Sequence, residues 1–195
     1  AQALSVTYTG DEGRLSFVLL NTRQTSPEDE PYVIAHEFGH LWLKAKKYAA
    51  PAYAGGRTAC LSILTGDAVQ HVLIRKEMDR REIEWRKPWI RTLEPALKAM
   101  EAQQNPPAPT RCQAMTQTIL WIDVSLGLTD AQWPERRRFL ELLTRQFPVI
   151  KPVAPELAAY LEKQDLVPRE DHIRALQTVF NRLKEMTIPL ADDTP

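Results

Sequence analysis

Two short segments at the start of the chain are β-prone, and the first of them, residues 4–9, alternates apolar and polar residues with the period of a β-strand. The second covers residues 14–21, and residues 10–13 between them read Gly-Asp-Glu-Gly, which is typical of a turn. The pattern predicts a hairpin or two edge strands at the start of the fold.

The period then changes to that of a helix. Ser26 offers a capping hydroxyl, and the prolines and acids at positions 27–31 suit the first turn of a helix. We expect this helix to run from about Pro31 to about Lys47. A loop should follow over residues 49–57, which contain a proline and two glycines, and the next helix should start near Asp67.

Helical periodicity also dominates the rest of the chain. Residues 67–104 carry it with a predicted break at Lys87–Pro88, and the proline-rich residues 105–109 predict a stiff connector. Further helices are predicted over the apolar residues 114–128 and near residues 134–147, 154–165 and 168–186. Six large apolar side chains there fit helix cores: Trp121, Trp133, Phe139, Leu142, Leu143 and Phe147.

The expected fold class is therefore α+β, mostly α, with a small N-terminal hairpin and additional C-terminal helices. We expect residues 1–104 to form the core, with residues 105–195 packed on it as a helical extension of the same domain.

The composition is that of an ordinary globular protein and excludes some partners. The chain has 195 residues, 44% hydrophobic and 26% charged, with 25 basic and 25 acidic side chains. A zero net charge argues against a nucleic-acid partner. The sequence has no apolar run of about 18 residues, so no membrane span is predicted. The compartment is weakly determined: the cytoplasm is favoured, and secretion is the alternative if a leader was removed before Ala1.

The chemistry is concentrated in one pentapeptide of the first predicted helix, His36-Glu37-Phe38-Gly39-His40. Residues four apart on a helix are rotated by about 40°, so both imidazoles leave the same face and can bind one zinc ion. Glu37 is rotated by about 100° from His36, off the metal but within reach of a bound water. His36 and His40 are thus predicted metal ligands, with Glu37 as the catalytic base.

The residues around this motif are mainly apolar, which predicts a helix running through the core. Buried histidines and a glutamate would be costly there without a partner such as a metal ion. Gly39 costs about 1 kcal/mol relative to alanine inside a helix, so we expect another backbone or a substrate strand to approach it closely.

The order of strand, acidic helix start and His-Glu-Phe-Gly-His resembles the active-site helix of zincin metallopeptidases, and most closely the compact ImmA/IrrE-like minimal peptidases. The resemblance covers roughly residues 14–80. It implies a zincin-like fold, zinc, peptide-bond hydrolysis, and an edge strand at residues 16–21 that pairs with an extended substrate. The acidic Glu-x-x-Ala-Asn ligand helix usual in that family has no match here.

The third zinc ligand is left open by the sequence. Leu-Trp-Leu-Lys-Ala-Lys after His40 excludes the metzincin pattern. The resemblance to gluzincins implies instead a ligand, usually an acid, from a following helix, and the first candidate helix is expected to begin near Asp67. His71 is favoured because apolar residues surround it, and Asp67, which shares its helix face, is the alternative. Glu77 and Glu82 are weaker candidates, and Asp67 has an ordinary role as a helix cap.

Several other residues have side chains that suit such a site. Cys60-Leu61-Ser62 resembles the cysteine segment of peptide deformylases but lies on the wrong side of the motif helix, so Cys60 is expected to be a small buried hydrophobe. Cys60 and Cys112 are as consistent with free thiols as with one bridge. His172 is expected on the surface. The possible oxyanion donors are Tyr48, Tyr53 and Arg57.

These residues predict a zinc metallopeptidase acting on a peptide or protein substrate. A zinc amidase or deacylase with a small substrate would use the same chemistry, and a non-catalytic binding domain on the same scaffold is the third alternative. The intact pairing of Glu37 with the two histidines argues against the last.

Overall fold

The computed structural model describes residues 3–10, 13–21, 23, 25–48, 59–103 and 108–186. Within them, two strands precede seven α-helices, which confirms a mostly helical α+β fold with an N-terminal hairpin. The strands are β1 (Ala3–Gly10) and β2 (Gly13–Leu20). The helices are α1 (Glu30–Ala45), α2 (Ala59–Arg80), α3 (Arg86–Ala102), α4 (Arg111–Gly127), α5 (Arg136–Gln146), α6 (Ala154–Glu162) and α7 (Arg169–Lys184), with a short 3-10 helix at Pro148–Ile150.

The hairpin lies against the helix that carries the histidine motif. β1 and β2 pair antiparallel, with Ala3 opposite Leu20 and Gly10 opposite Gly13. Both strands contact α1. The predicted turn at residues 10–13 and the predicted connector at 105–109 lie partly outside the described residues, and the predicted loop at 49–57 lies wholly outside them.

Helix α1 begins one residue before the predicted start. Asp29 is its N-cap residue and Pro31 lies in the first turn, where a missing N–H leaves no broken bond. Ser26 does not cap the helix with its side chain, because its hydroxyl donates to the Asp29 carboxylate at 2.8 Å. Arg91 of α3 also donates to Asp29, so this carboxylate ties the start of α1 to α3.

Helix α1 does not run through the core as predicted. Only Val33 and Leu43 are buried, and Phe38 is 53% exposed. The helix lies between the hairpin and α2, with one side left open. Its apolar residues therefore cover neighbouring elements on some faces and line a surface groove on another.

Helix α2 begins eight residues before the predicted start at Asp67. Thr65 is buried inside the helix, and its hydroxyl donates to the Leu61 carbonyl at 2.7 Å, a bond that a helix interior permits. The helix breaks after Arg80, where Glu82 takes a φ of 57°, and not at Lys87–Pro88. Pro88 falls in the first turn of α3, where backbone N–H groups have no intrahelical partner.

Two of the C-terminal helices, α4 and α7, pack against α2. Helix α4 contacts α2, α5 and α6, and α7 contacts α2. Of the six predicted core side chains, Trp133, Phe139, Leu142 and Leu143 are buried, while Trp121 and Phe147 are partly buried against the same core. One cluster of buried apolar residues joins both sides of the predicted division at residue 104, and that division stays a prediction. None of the described helices is both long and apolar enough to span a membrane.

A disulfide joins Cys60 in the first turn of α2 to Cys112 in the first turn of α4, with a Cα–Cα distance of 6.0 Å. This decides between the bridged and free alternatives. The prediction of Cys60 as a small buried hydrophobe is wrong, because its sulfur is bonded to Cys112 and the residue is only half-buried.

Candidate metal centre

Helices α1 and α2 bring three histidines together. His36 and His40 lie one turn apart on α1, and His71 faces them from α2. One ring nitrogen of each lies within 4.8 Å of those of the other two. Three imidazoles from two neighbouring helices are a donor set that suits zinc.

The close approach of the two helices depends on Gly39. A Cβ at this position would lie 2.7 Å from Cγ2 of Ile74 on α2, well inside van der Waals contact. The protein group that approaches Gly39 is thus the side chain of Ile74, and not the backbone that was one of the two predicted alternatives. The other alternative, a substrate strand, stays a prediction. Because Ile74 follows His71 by three residues, this contact also fixes His71 relative to the motif.

Hydrogen bonds set the orientation of two of the rings. The His40 Nδ1 atom lies 2.9 Å from Gln70 Oε1, and the His71 Nδ1 atom lies 2.8 Å from Asp123 Oδ2. A carboxamide oxygen and a carboxylate only accept, so Nδ1 donates in each case. In the neutral rings, Nε2 of His40 and of His71 then carries a lone pair available to a metal.

The spacing of the nitrogens fits a shared zinc ion. Nε2 of His36 lies 3.3 Å from Nε2 of His40. A tetrahedral zinc with Zn–N bonds of about 2.0–2.1 Å would hold its ligand nitrogens about 3.3 Å apart. The α1 pair therefore already has the separation that zinc requires.

Electrostatics keep the α1 pair in the form that binds metal. Burial, followed by the nearby His71 and His40, holds the pKa of His36 well below its usual value of 6.5. Burial and His71 likewise lower the pKa of His40. Since only a neutral imidazole offers a lone pair, both shifts favour metal binding. Burial also opposes charge on His71, but the Asp123 carboxylate outweighs it and raises the pKa of His71.

Asp123 connects the centre to helix α4. Its second oxygen, Oδ1, accepts from Nη1 of Arg75 at 2.8 Å, and the residue is only 7% exposed. Burial alone would raise the pKa of Asp123, but His71 and Arg75 outweigh it and hold that pKa well below its usual value. The Arg75 guanidinium lies 5.5 Å from the ring centre of Trp89 and 6.0 Å from that of Trp85.

The four acids considered for the site, Glu37, Asp67, Glu77 and Glu82, differ in their surroundings. Glu37 is half-buried, and its charge acts on both His40 and Asp67. Asp67 lies one turn before His71, its pKa raised by burial, and is not part of the three-histidine group. Glu77 is paired with Arg80 and Arg81 at 2.7 and 2.6 Å. Glu82 is exposed in the turn after α2.

The surface position predicted for His172 is wrong. This residue is fully buried in α7, and its ring meets that of Tyr48 edge to face, with centres 4.9 Å apart. The packing of α7 on α2 covers it. The Tyr48 hydroxyl donates to the Val167 carbonyl at 2.8 Å, so its proton is already engaged. Tyr53 and Arg57 lie outside the described residues.

Three residues of the centre were missed by sequence reasoning: Gln70, Arg75 and Asp123. Asp123 carried a usable signal, because it is the one acid in the apolar residues 114–128 and a buried carboxylate requires partners. Arg75 lies four residues after His71 and shares its helix face. Gln70 had no signal beyond its position beside His71.

No protein-family model, curated protein or solved structure matches this chain. The assignment of the candidate metal centre therefore rests on its geometry and chemistry.

Proposed function

We propose that this chain is a zinc-dependent hydrolase, and specifically a metallopeptidase. His36, His40 and His71 are the proposed ligands, and Glu37 is the proposed general base. The observation that carries this proposal is the convergence of three imidazoles beside Glu37, two of them turned by Gln70 and Asp123 so that Nε2 points away from its partner.

Three protein ligands would leave a fourth tetrahedral position open, as catalytic zinc sites require. Zinc bound there would supply a Lewis acid that polarises the scissile carbonyl and lowers the pKa of a water molecule toward about 7.

The protein's own groups would then manage the protons. Glu37 follows His36 on α1 and is not a member of the three-histidine group. It would accept a proton from the attacking water and deliver it to the leaving amine. Gln70 and Asp123 hold the rings of His40 and His71 in place during both transfers.

The hairpin offers a means of holding an extended peptide. Within the described residues the sheet has two strands, so β2 pairs with β1 along one edge and with no other described strand along its second edge. A substrate peptide could add to that edge through main-chain hydrogen bonds. The contact of β2 with α1 would keep such a peptide near the histidine motif.

The decisive test is Glu37→Gln, which keeps the size of the side chain and removes the base. We expect the variant to bind zinc with unchanged stoichiometry and to lose about 10²- to 10⁴-fold in the rate of peptide hydrolysis. Glu30→Gln, the same change in the first turn of the same helix, is the matched control and should leave both properties unchanged.

Metal analysis and cleavage of a peptide library would measure the two properties. Full activity in Glu37→Gln, or failure of the wild type to bind zinc, would contradict the proposal. Cleavage of small acylated amines but of no peptide would indicate the amidase alternative.

A further inference from the structure

A cavity of about 260 Å³ lies on the side of the candidate metal centre where His71 bonds Asp123. Both of these residues are in its wall, whereas Glu37 and His40 are not among the described residues that line it. His71 reaches Asp123 through Nδ1, and its Nε2 is the atom proposed to bind zinc. The cavity therefore adjoins the group that orients His71, and it is a site distinct from the one where the proposed base would act.

The apolar part of the cavity wall is formed mainly by two indoles. Trp85 precedes α3 and is only 2% exposed, and Trp89 lies in the first turn of α3. Trp89 is packed tightly against α4, because a Cβ at Gly127 would lie 2.7 Å from its Cζ3 atom. Aromatic faces that are held in place by packing favour a planar ring, which can stack on them with little loss of conformational entropy.

The polar part of the wall contains a donor and an acceptor that can each make a further hydrogen bond. Arg75 is 9% exposed and donates from Nη1 to Asp123, but its Nη2 atom has no hydrogen-bond partner among the described residues. The Asp123 carboxylate accepts from Arg75 and His71, and a carboxylate can accept about four hydrogen bonds. Because a buried N–H without an acceptor is destabilising, a guest that accepts from Nη2 would bind favourably.

The charges of Arg75 and Asp123 decide the charge of the guest. The two groups pair at 2.8 Å and cancel each other. A carboxylate in the cavity would add a second anion beside Asp123, and an amidinium would add a second cation beside Arg75, each costly where water is excluded. A carboxamide is neutral and offers both a carbonyl oxygen to Arg75 and an N–H to Asp123.

We propose that this cavity binds a small neutral aromatic carboxamide, with the ring against the indoles and the amide between Arg75 and Asp123. The volume equals that of about nine water molecules, which is room for one substituted benzene ring. The site itself does not require zinc, but its effect on zinc rests on the proposed function. A guest that donates to Asp123 competes with the N–H of His71, so its binding should weaken zinc binding severalfold, and zinc should weaken guest binding by the same factor.

Four compounds of similar shape test the chemistry of the guest: benzamide, benzoate, benzamidine and acetophenone, which lacks the amide N–H. Each is titrated into the zinc-free full chain while the indole N–H signals of Trp85 and Trp89 are followed by NMR. We expect benzamide to bind about fivefold more tightly than acetophenone, and about tenfold more tightly than either charged compound. Tightest binding of benzoate, equal binding of all four, or no saturable shift with any of them would overturn the proposal.

Substitutions locate the guest in the cavity. Arg75→Lys keeps the charge opposite Asp123 and removes Nη2, so benzamide affinity should fall about fivefold, while Arg80→Lys, at an exposed arginine of the same helix, is the matched control. Thr92→Trp places a bulky side chain at an exposed residue of the cavity wall and should abolish binding without touching the buried ion pair. Its control is Thr116→Trp, at an exposed threonine of α4. Wild-type affinity in both Arg75→Lys and Thr92→Trp would place benzamide elsewhere.

The link to zinc is measured separately. Chelator competition gives the zinc affinity with and without saturating benzamide, and we expect a severalfold loss when benzamide is bound. An unchanged zinc affinity would overturn the competition at Asp123. A protein that binds benzamide as expected but binds no zinc would support the carboxamide site and contradict only the proposed function.

Discussion

At the scale of single residues, the candidate centre depends on groups that never touch the metal. Asp123 orients His71 and Gln70 orients His40, each through Nδ1. Asp123 has a second role, because its charge raises the pKa of His71 whereas the α1 histidines have lowered pKa values. Of the three proposed ligands, His71 is therefore the one at which protons would compete with zinc at the highest pH.

Replacing Asp123 should change both the affinity for zinc and its pH dependence. We expect Asp123→Asn to lower zinc affinity about 10- to 100-fold at neutral pH. In the wild type, affinity should fall as the pH drops through the raised pKa of His71, since a protonated imidazole cannot bind. The variant removes the charge that raises this pKa, so its affinity should begin to fall at a lower pH.

Chelator competition over a pH series measures both effects. Asp130→Asn, a change at an exposed carboxylate just beyond α4, is the matched control and should behave as the wild type. A folded Asp123→Asn protein with wild-type zinc affinity at every pH would refute the orienting role of Asp123.

At the scale of elements, the candidate centre requires α1 and α2 to approach each other closely at Gly39. Gly39 permits this, because any larger residue would meet the buried side chain of Ile74. Gly39 is thus needed for the packing of α1 against α2. It costs helix propensity, but it allows the close helix contact that brings His71 near the motif.

Gly39→Ala tests this packing. Alanine should gain about 1 kcal/mol in helix propensity, but the overlap with Ile74 should cost about 1–3 kcal/mol and leave a net loss of stability. In an Ile74→Ala background the overlap disappears, and the same change should become neutral or stabilising. A double-mutant cycle by urea unfolding measures the coupling, and additive effects would contradict the contact.

The elements that could be predicted are those encoded locally. The hairpin, the motif helix and the C-terminal helices follow from the spacing of apolar residues, with proline at their boundaries. The predicted start of α2 was wrong because Thr65, Gly66 and Asp67 match the residue pattern of a helix N-terminus. Tertiary packing instead buries Thr65 and Gly66 inside a longer helix. Asp123 and the burial of His172 depend on contacts between distant helices, which no local pattern contains.

At the scale of the whole molecule, α4 is aligned on α2 at two points. The disulfide joins Cys60 to Cys112, and a hydrogen bond joins His71 to Asp123. Each second contact lies eleven residues beyond the first on its own helix (71 − 60 and 123 − 112), which is about three helical turns. The two helices therefore run in parallel from the bridge to the metal centre. Because such bridges persist in oxidising compartments, we propose that the folded chain resides in one, outside the reducing cytosol.

The bridge should contribute to stability more than to metal binding. Replacing both Cys60 and Cys112 by serine opens a loop whose ends are 52 residues apart and should lower the free energy of unfolding by about 2–4 kcal/mol. The bridge lies about three turns from His71, and the packed α2–α4 interface still holds Asp123 in place, so zinc affinity should fall less than in Asp123→Asn. Thermal unfolding with and without a reductant measures the contribution of the bridge to stability. A reductant should lower the unfolding temperature of the wild type and leave that of the double variant unchanged. If the double variant lost zinc affinity as completely as Asp123→Asn, the bridge itself, and not the helix interface, would hold α4 in register with the metal centre.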